Sequence, residues 1–219
     1  MPLTFDLVVE QLRRRLATGT LPGAVAHEPL RATPVGELRP VFEHKSPPKP
    51  GSVLILLYPD KGEIKFPLTK RPEYLGAHSG QVSLPGGKAE PGETAIETAL
   101  REGEEEIGIR GSDIEVIGTL SNFFVVPSNF LVTPVVGIQH SKPLFTPDPI
   151  EVVRVLEGTL SGLLREDAVT VREITAARVY RLNAPHFLIE DEVVWGATAM
   201  MLNELRMVMQ ELSGESESL

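Results

Sequence analysis

Apolar residues recur at Phe5, Val8, Val9, Leu12 and Leu16. That i, i+3, i+4 rhythm places one stripe along one side of an α-helix. Thr4 stands where an N-cap belongs, Arg13, Arg14 and Arg15 suit the negative end of a helix dipole, and Gly19 supplies a stop. Residues 4–17 therefore predict an amphipathic helix. Residues 20–50 are Pro-rich and weakly periodic and end in Lys-Ser-Pro-Pro-Lys-Pro, which predicts a covering arm or linker, not a core element. The continuous apolar run at 51–58 predicts a buried strand. A second strand at 64–70 follows the turn Pro59-Asp60-Lys61-Gly62, and Pro67 places it at an edge or a bulge.

Helical period returns at 94–108, where Ile96, Ala99, Leu100, Gly103 and Ile107 share one side and the charges take the other. Strands are expected near 114–120, 130–138, 152–157 and 177–181, with a short helix near 159–165. Residues 196–212 predict a terminal helix carrying four of the five methionines. The succession predicts an α+β domain, a mixed sheet sandwiched between helices. Its expected limits are 45–212, preceded by a helical and Pro-rich arm at 1–44 and followed by a disordered acidic tail at 213–219.

Composition narrows the chemistry. The 219 residues are 42% hydrophobic and 23% charged, as in globular proteins, and contain no cysteine. Disulfides, thiolate nucleophiles and cysteine-held metals are thereby excluded. A net charge of −9 argues against a nucleic-acid partner. No apolar run is long enough to span a membrane, and the first residues lack the order of a signal peptide, so the cytoplasm is the expected compartment.

Glu102, Glu105 and Glu106 stand at i, i+3 and i+4, so one turn of the 94–108 helix carries three carboxylates. Such groups repel unless a cation lies between them. A site with oxygen donors and no thiolate or nearby histidine suits Mg²⁺ or Mn²⁺. A solvated acidic face is the plain alternative.

The longer spacing decides between the two. Gly87, Glu93, Arg101, Glu102, Glu105, Glu106, Gly108 and Ile109 fall where the Nudix hydrolases carry their signature, and the segment resembles that family. The departure is Gly103 at an apolar position, a small residue that permits close packing against a sheet. The resemblance implies that Glu102, Glu105 and Glu106, with the carbonyl of Gly86, hold divalent metal, and that Glu93 and Arg101 tie the loop to the helix. It implies a metal-assisted attack of water on a diphosphate, with Glu105 as first candidate for the base and Glu151 as the alternative.

The upstream segment is similar to the coenzyme A pyrophosphatase branch at Thr69, Arg71, Leu75, His78, Gly80, Gln81, Pro85, Gly86 and Gly87. Pro72, Gly76 and Leu84 stand where the branch has Ser, Arg and Phe, so one cation of the branch is missing. Further likeness lies at Pro134–Gly137, at Glu151-Val152 and at Trp195–Thr198. This implies cleavage of coenzyme A or its derivatives to 3′,5′-ADP and 4′-phosphopantetheine. Lys70, Arg71, His78 and Lys88 are the candidate substrate contacts. The loss at Gly76 points toward ADP-ribose, NADH or another nucleoside diphosphate derivative as the alternative substrate class. A binding module without catalysis is a third reading, but it predicts lost carboxylates and none is lost. Finally, the apolar face of 4–17 and the terminal methionines exceed the evident needs of one sheet, which predicts a homodimer.

Overall fold

The structure is a computed structural model that describes residues 4–39, 41–73, 80–177 and 179–217. In chain order its elements are α1 (Phe5–Ala17), α2 (Ala24–His27), β1 (Thr33–Pro34), β2 (Lys49–Asp60), β3 (Glu63–Lys70), β4 (Val82–Ser83) and β5 (Gly86–Lys88). There follow α3 (Ala95–Ile107), β6 (Glu115–Thr119), β7 (Phe123–Val125), β8 (Phe130–Ile138), β9 (Arg154–Thr159) and α4 (Leu160–Leu164). The chain closes with β10 (Val169–Ala176), β11 (Tyr180–Ile189), β12 (Glu192–Trp195) and α5 (Gly196–Glu217).

The larger sheet runs β4-β3-β2-β8-β6, with β5 on β2, β7 on β8 and β9 on β3. Its centre is the parallel pair of β2 and β8, in register from Lys49 opposite Phe130 to Leu57 opposite Ile138. A parallel centre buried on both faces explains the unbroken apolar run of β2. Leu54, Leu56 and Tyr58 face a core shared with Ala99 and Ile107 of α3. Ile55 and Leu57 face the second and larger core, which α1 and α5 complete. Lys61 and Gly62 both take positive φ, 52° and 84°, making the tight two-residue turn between β2 and β3. Pro67 sits opposite Glu157 of β9, beyond the residues where β3 pairs with β2, so its missing N–H is harmless. At Gly103 a Cβ would lie 2.9 Å from Ile109 Cδ1 and 3.2 Å from Leu54 Cδ2, so α3 packs closely enough that an added methyl would push these side-chain ends aside.

Three expectations need correction, and the ground given for a fourth changes. The segment after α1 is not merely a cover: Ala26 and Leu30 are buried, and Thr33–Pro34 pairs with β11. One helical turn is too short to show a period, so only its partners reveal that it is core. The tail expected from residue 213 continues α5 to Glu217, because a helix already nucleated by four buried turns propagates through polar residues. The single strand expected at 177–181 is replaced by the β10–β11 hairpin and β12, which with β1 form a second sheet. Most side chains of β10 are exposed, which erases the alternation that marks a strand. The surplus that suggested a homodimer is absorbed within one chain. Val8, Val9, Leu12 and Leu16 of α1 and Met200, Met201 and Met209 of α5 are all buried in it.

Candidate active site

α3 is fixed at both ends. Thr94 Oγ1 accepts from Glu97 N–H at 3.3 Å while Glu97 Oε2 accepts from Thr94 N–H at 2.8 Å, a reciprocal capping box. Gly108 ends the helix in the left-handed region at φ 71°. Between these caps the carboxylates do not share one environment. Glu106 is 2% exposed. Its Oε2 accepts from Gly86 N–H at 3.1 Å, and Arg71 Nη2 donates to its Oε1, also at 3.1 Å. Glu102 is half-buried and lies against Gly87, where a Cβ would come within 2.5 Å of its carboxylate. Glu105 is the outer member: its side chain is 60% exposed and pairs with Arg101 Nη1 at 2.8 Å.

Burial dominates the electrostatics. Desolvation pushes the Glu106 carboxyl up to about 7, with Arg71 and the Gly86 N–H pulling it back and the charges of Glu102 and Glu151 adding to the rise. Glu102 is raised too, first by desolvation and against the pull of Arg101. Two carboxyls held in an unfavourable charged form mark a place where added positive charge is stabilising.

Glu93 and Arg101 form the predicted tie. Arg101 Nε and Nη2 donate to the two Glu93 oxygens at 2.6 and 3.1 Å, and Nη2 also donates to the Lys88 carbonyl at 3.1 Å. The Glu93 carboxyl falls to about 2, first because of Arg101 and next because of the Glu90 N–H. Glu151 lies on the exposed loop between β8 and β9. Lys70 is ion-paired with Glu192 of β12, and Lys88 is the exposed last residue of β5. His78 lies outside the described residues. The structure thus gathers Arg71, Gly86, Glu102 and Glu106, places Glu151 in electrostatic reach of both glutamates, and leaves Glu105 at the rim.

Two residues near the site, Arg154 and Asp148, were not singled out from the sequence. Arg154 stands opposite Lys70 in the β3–β9 register and is held by Glu190 and Glu192. No linear spacing joins these residues. Asp148 was also missed, although the Pro147-Asp148-Pro149 run is a turn signal.

Among the described residues no three carboxylates or imidazoles are gathered tightly enough to enclose an ion as they stand. The donor set nevertheless fits a hard divalent cation. It is oxygen-only, two of its carboxyls are raised by burial, and Gly87 lets a carboxylate approach the backbone.

A carboxylate-bearing helix is seated on a Gly-Gly strand, with an arginine on its innermost glutamate. Residues 48–193 match the NUDIX domain family, and the chain belongs to that family. It is 34% identical over 169 residues to Nudix hydrolase 3 of Caenorhabditis elegans, covering 70% of each chain. It is 39% identical over 165 residues to the chloroplastic Nudix hydrolase 22 of Arabidopsis thaliana, covering 71% of this chain. The chain spans about half of that relative's length, 53%. The fold is also that of the Nudix hydrolase RenU of M. smegmatis, with a TM-score of 0.52 over 78% of this chain and 88% of that one, at 14% identity. Among the described residues no helix is long and apolar enough to cross a membrane.

Proposed function

We propose that the protein is a divalent-metal-dependent hydrolase that cleaves the diphosphate of coenzyme A or its derivatives, giving 3′,5′-ADP and 4′-phosphopantetheine or its acyl form. The observation that carries the reaction class is Glu106, a buried carboxylate raised to about 7 and flanked by Gly86 and Arg71. Glu102, Glu105, Glu106 and the Gly86 carbonyl would hold Mg²⁺ or Mn²⁺. Such an ion supplies charge stabilisation for a diphosphate and for the water that attacks it.

The chain's own groups do the rest. Arg71 neutralises charge beside Glu106 and is the candidate contact for a phosphate oxygen. Arg101 holds Glu102 at 3.1 Å and Glu105 at 2.8 Å, which keeps the rim of the helix ordered. Because Glu105 is committed to Arg101, Glu151 is the better candidate to take the proton of the attacking water.

The coenzyme A reading is supported by the layout beyond the glutamates. Arg71 follows Lys70 in the chain, and Lys70 stands opposite Arg154 across β3 and β9, the two sharing Glu192. Glu190, which binds Arg154, also lines a cleft of about 490 Å³ floored by Phe66, Leu163, Phe187 and Ile189. A ligand with a diphosphate, a further phosphate and a long thin arm calls for cations and an apolar cleft of this kind. The alternative substrate class, ADP-ribose or NADH, is favoured by Gly76 in place of a cation.

Chromatography of products after incubation with coenzyme A, ADP-ribose and NADH, each with Mg²⁺ or Mn²⁺, tests the assignment. Release of 3′,5′-ADP from coenzyme A is expected. Brisk hydrolysis of ADP-ribose or NADH with coenzyme A left intact would transfer the assignment to the second class. Inactivity on all three under both metals would remove the hydrolase reading.

A further inference from the structure

The loop between β8 and β9 is pinned to the residues that carry the chemistry. Thr146 N–H donates to the Ile107 carbonyl at 2.8 Å, and Asp148 N–H donates to the Glu106 carbonyl at 3.0 Å. These are two of the carbonyls that the end of a helix leaves without intrahelical donors. Gly108 makes the docking possible: a Cβ there would lie 2.7 Å from the Thr146 carbonyl oxygen and 2.8 Å from Thr146 Cβ. At its far end the loop is fastened by Val153 N–H, which donates to the Lys70 carbonyl at 2.8 Å, one residue before Arg71.

Between these anchors Asp148 folds the chain back on itself. Its Oδ1 accepts from Ile150 N–H at 2.7 Å and from Glu151 N–H at 3.3 Å. Its carbonyl accepts from Val152 N–H at 2.9 Å. Val152 is buried while Glu151 is exposed, so the turn directs the carboxylate outward from a fixed backbone. Asp148 therefore joins the Glu106 backbone to the Glu151 backbone, through its own N–H on one side and its Oδ1 on the other.

We propose that Asp148 is a positioning residue that presents Glu151 to the glutamate face of α3, and that it acts on turnover through Glu151 alone. The proposal rests on the hydrolase reading and on Glu151 as the group that takes the proton. An accepting oxygen at position 148 is what the device needs, and charge there is dispensable, because both donors are backbone N–H groups. Asparagine should serve and alanine should not.

The experiment compares wild type with Asp148→Ala, Asp148→Asn, Glu151→Gln and the double variant Asp148→Ala/Glu151→Gln. The readouts are kcat and KM on the best diphosphate substrate, thermal melting, and amide exchange at residues 150 and 151. Asp148→Ala should lower kcat about 5- to 20-fold with KM and melting little changed, and should speed exchange at both amides. Asp148→Asn should keep at least half of the wild-type kcat. In the Glu151→Gln background the alanine substitution should change kcat less than twofold. An equal loss in that background would overturn the proposal, as would a Glu151→Gln variant that turns over like wild type. An unchanged kcat in Asp148→Ala beside a slow Glu151→Gln overturns it as well. Wild-type inactivity on every diphosphate offered would instead defeat the hydrolase reading, and the role of Asp148 with it.

Discussion

Arg71 and Glu106 lie 35 residues apart in the chain and meet at 3.1 Å, Nη2 to Oε1, in a site where the carboxylate is 2% exposed. The other oxygen of Glu106 is held by the Gly86 N–H. The innermost glutamate of the helix is thus gripped from two directions before any substrate arrives. That contact bears on what Arg71 does. It is a counter-ion to the site as well as a candidate phosphate contact.

Arg71→Ala should reduce kcat/KM about 10- to 150-fold, the range that corresponds to one charge-assisted hydrogen bond of roughly 1.5–3 kcal/mol. Steady-state kinetics with a melting curve on the same preparation checks this. If the loss falls on kcat rather than KM, Arg71 acts on Glu106; if it falls on KM, Arg71 acts on the substrate phosphate.

Glu106 should make stability fall with rising pH when no divalent ion is present. Its carboxyl sits at about 7 in the folded chain against an ordinary value of 4.5, so the folded state binds more protons than the unfolded one between those values. Below that window both states are protonated and Glu106 is neutral to stability; above it the full penalty is felt. Glu106→Gln should therefore melt above wild type at pH 7.5 in a chelator, match it near pH 4, and lose most hydrolytic activity. Equal melting of the two at pH 7.5 would show that the buried charge carries no penalty.

Gly87→Ala should separate activity from stability. The added Cβ would meet the Glu102 carboxylate at 2.5 Å, and the side chain must swing away because its end is more flexible than the strand. Titration with Mn²⁺, followed by its paramagnetic signal, should show affinity weakened about tenfold or more, with a melting temperature within a few degrees of wild type. Unaltered Mn²⁺ affinity would remove Glu102 from the metal site.

Far from the glutamates, Glu204 of α5 is fully buried and takes three donors. Gly23 N–H and Ser121 N–H donate to its Oε1 at 3.1 and 3.3 Å, and His27 Nε2 lies 3.0 Å from its Oε2. Glu204→Ala strands all three and should destabilise the chain by about 3 kcal/mol in denaturant titration, while Glu204→Gln should cost about half as much because an oxygen still accepts from both backbone groups. Near-equal unfolding midpoints for alanine and wild type would mean that the N-terminal segment is not locked to α5 through this residue.

The local parts of the protein were legible in the sequence for a physical reason. The extent of α1 and α3 and the cap at Thr4 depend on spacings of a few residues, and helical geometry converts such spacings directly into neighbours, whereas the pairing of Glu93 with Arg101 was implied by the family resemblance. The same geometry put Glu102, Glu105 and Glu106 on one turn, but it said nothing about depth. Only the packing of α3 on β2, through Gly103, buries Glu106 and leaves Glu105 in solvent. The Arg71–Glu106 contact, the pairing of Lys70 with Glu192 and the docking of the 146–153 loop on the end of α3 join residues that no short window contains. The second sheet escaped for a related reason: β10 is mostly exposed, so hydrophobic pattern never marked it, and its hydrogen-bond partners in β11 alone define it as a strand. Ala26 and Leu30 look like linker in the chain and become core where α5 and β11 close over them, because burial is a property of what lies across the fold and not of what lies next in sequence.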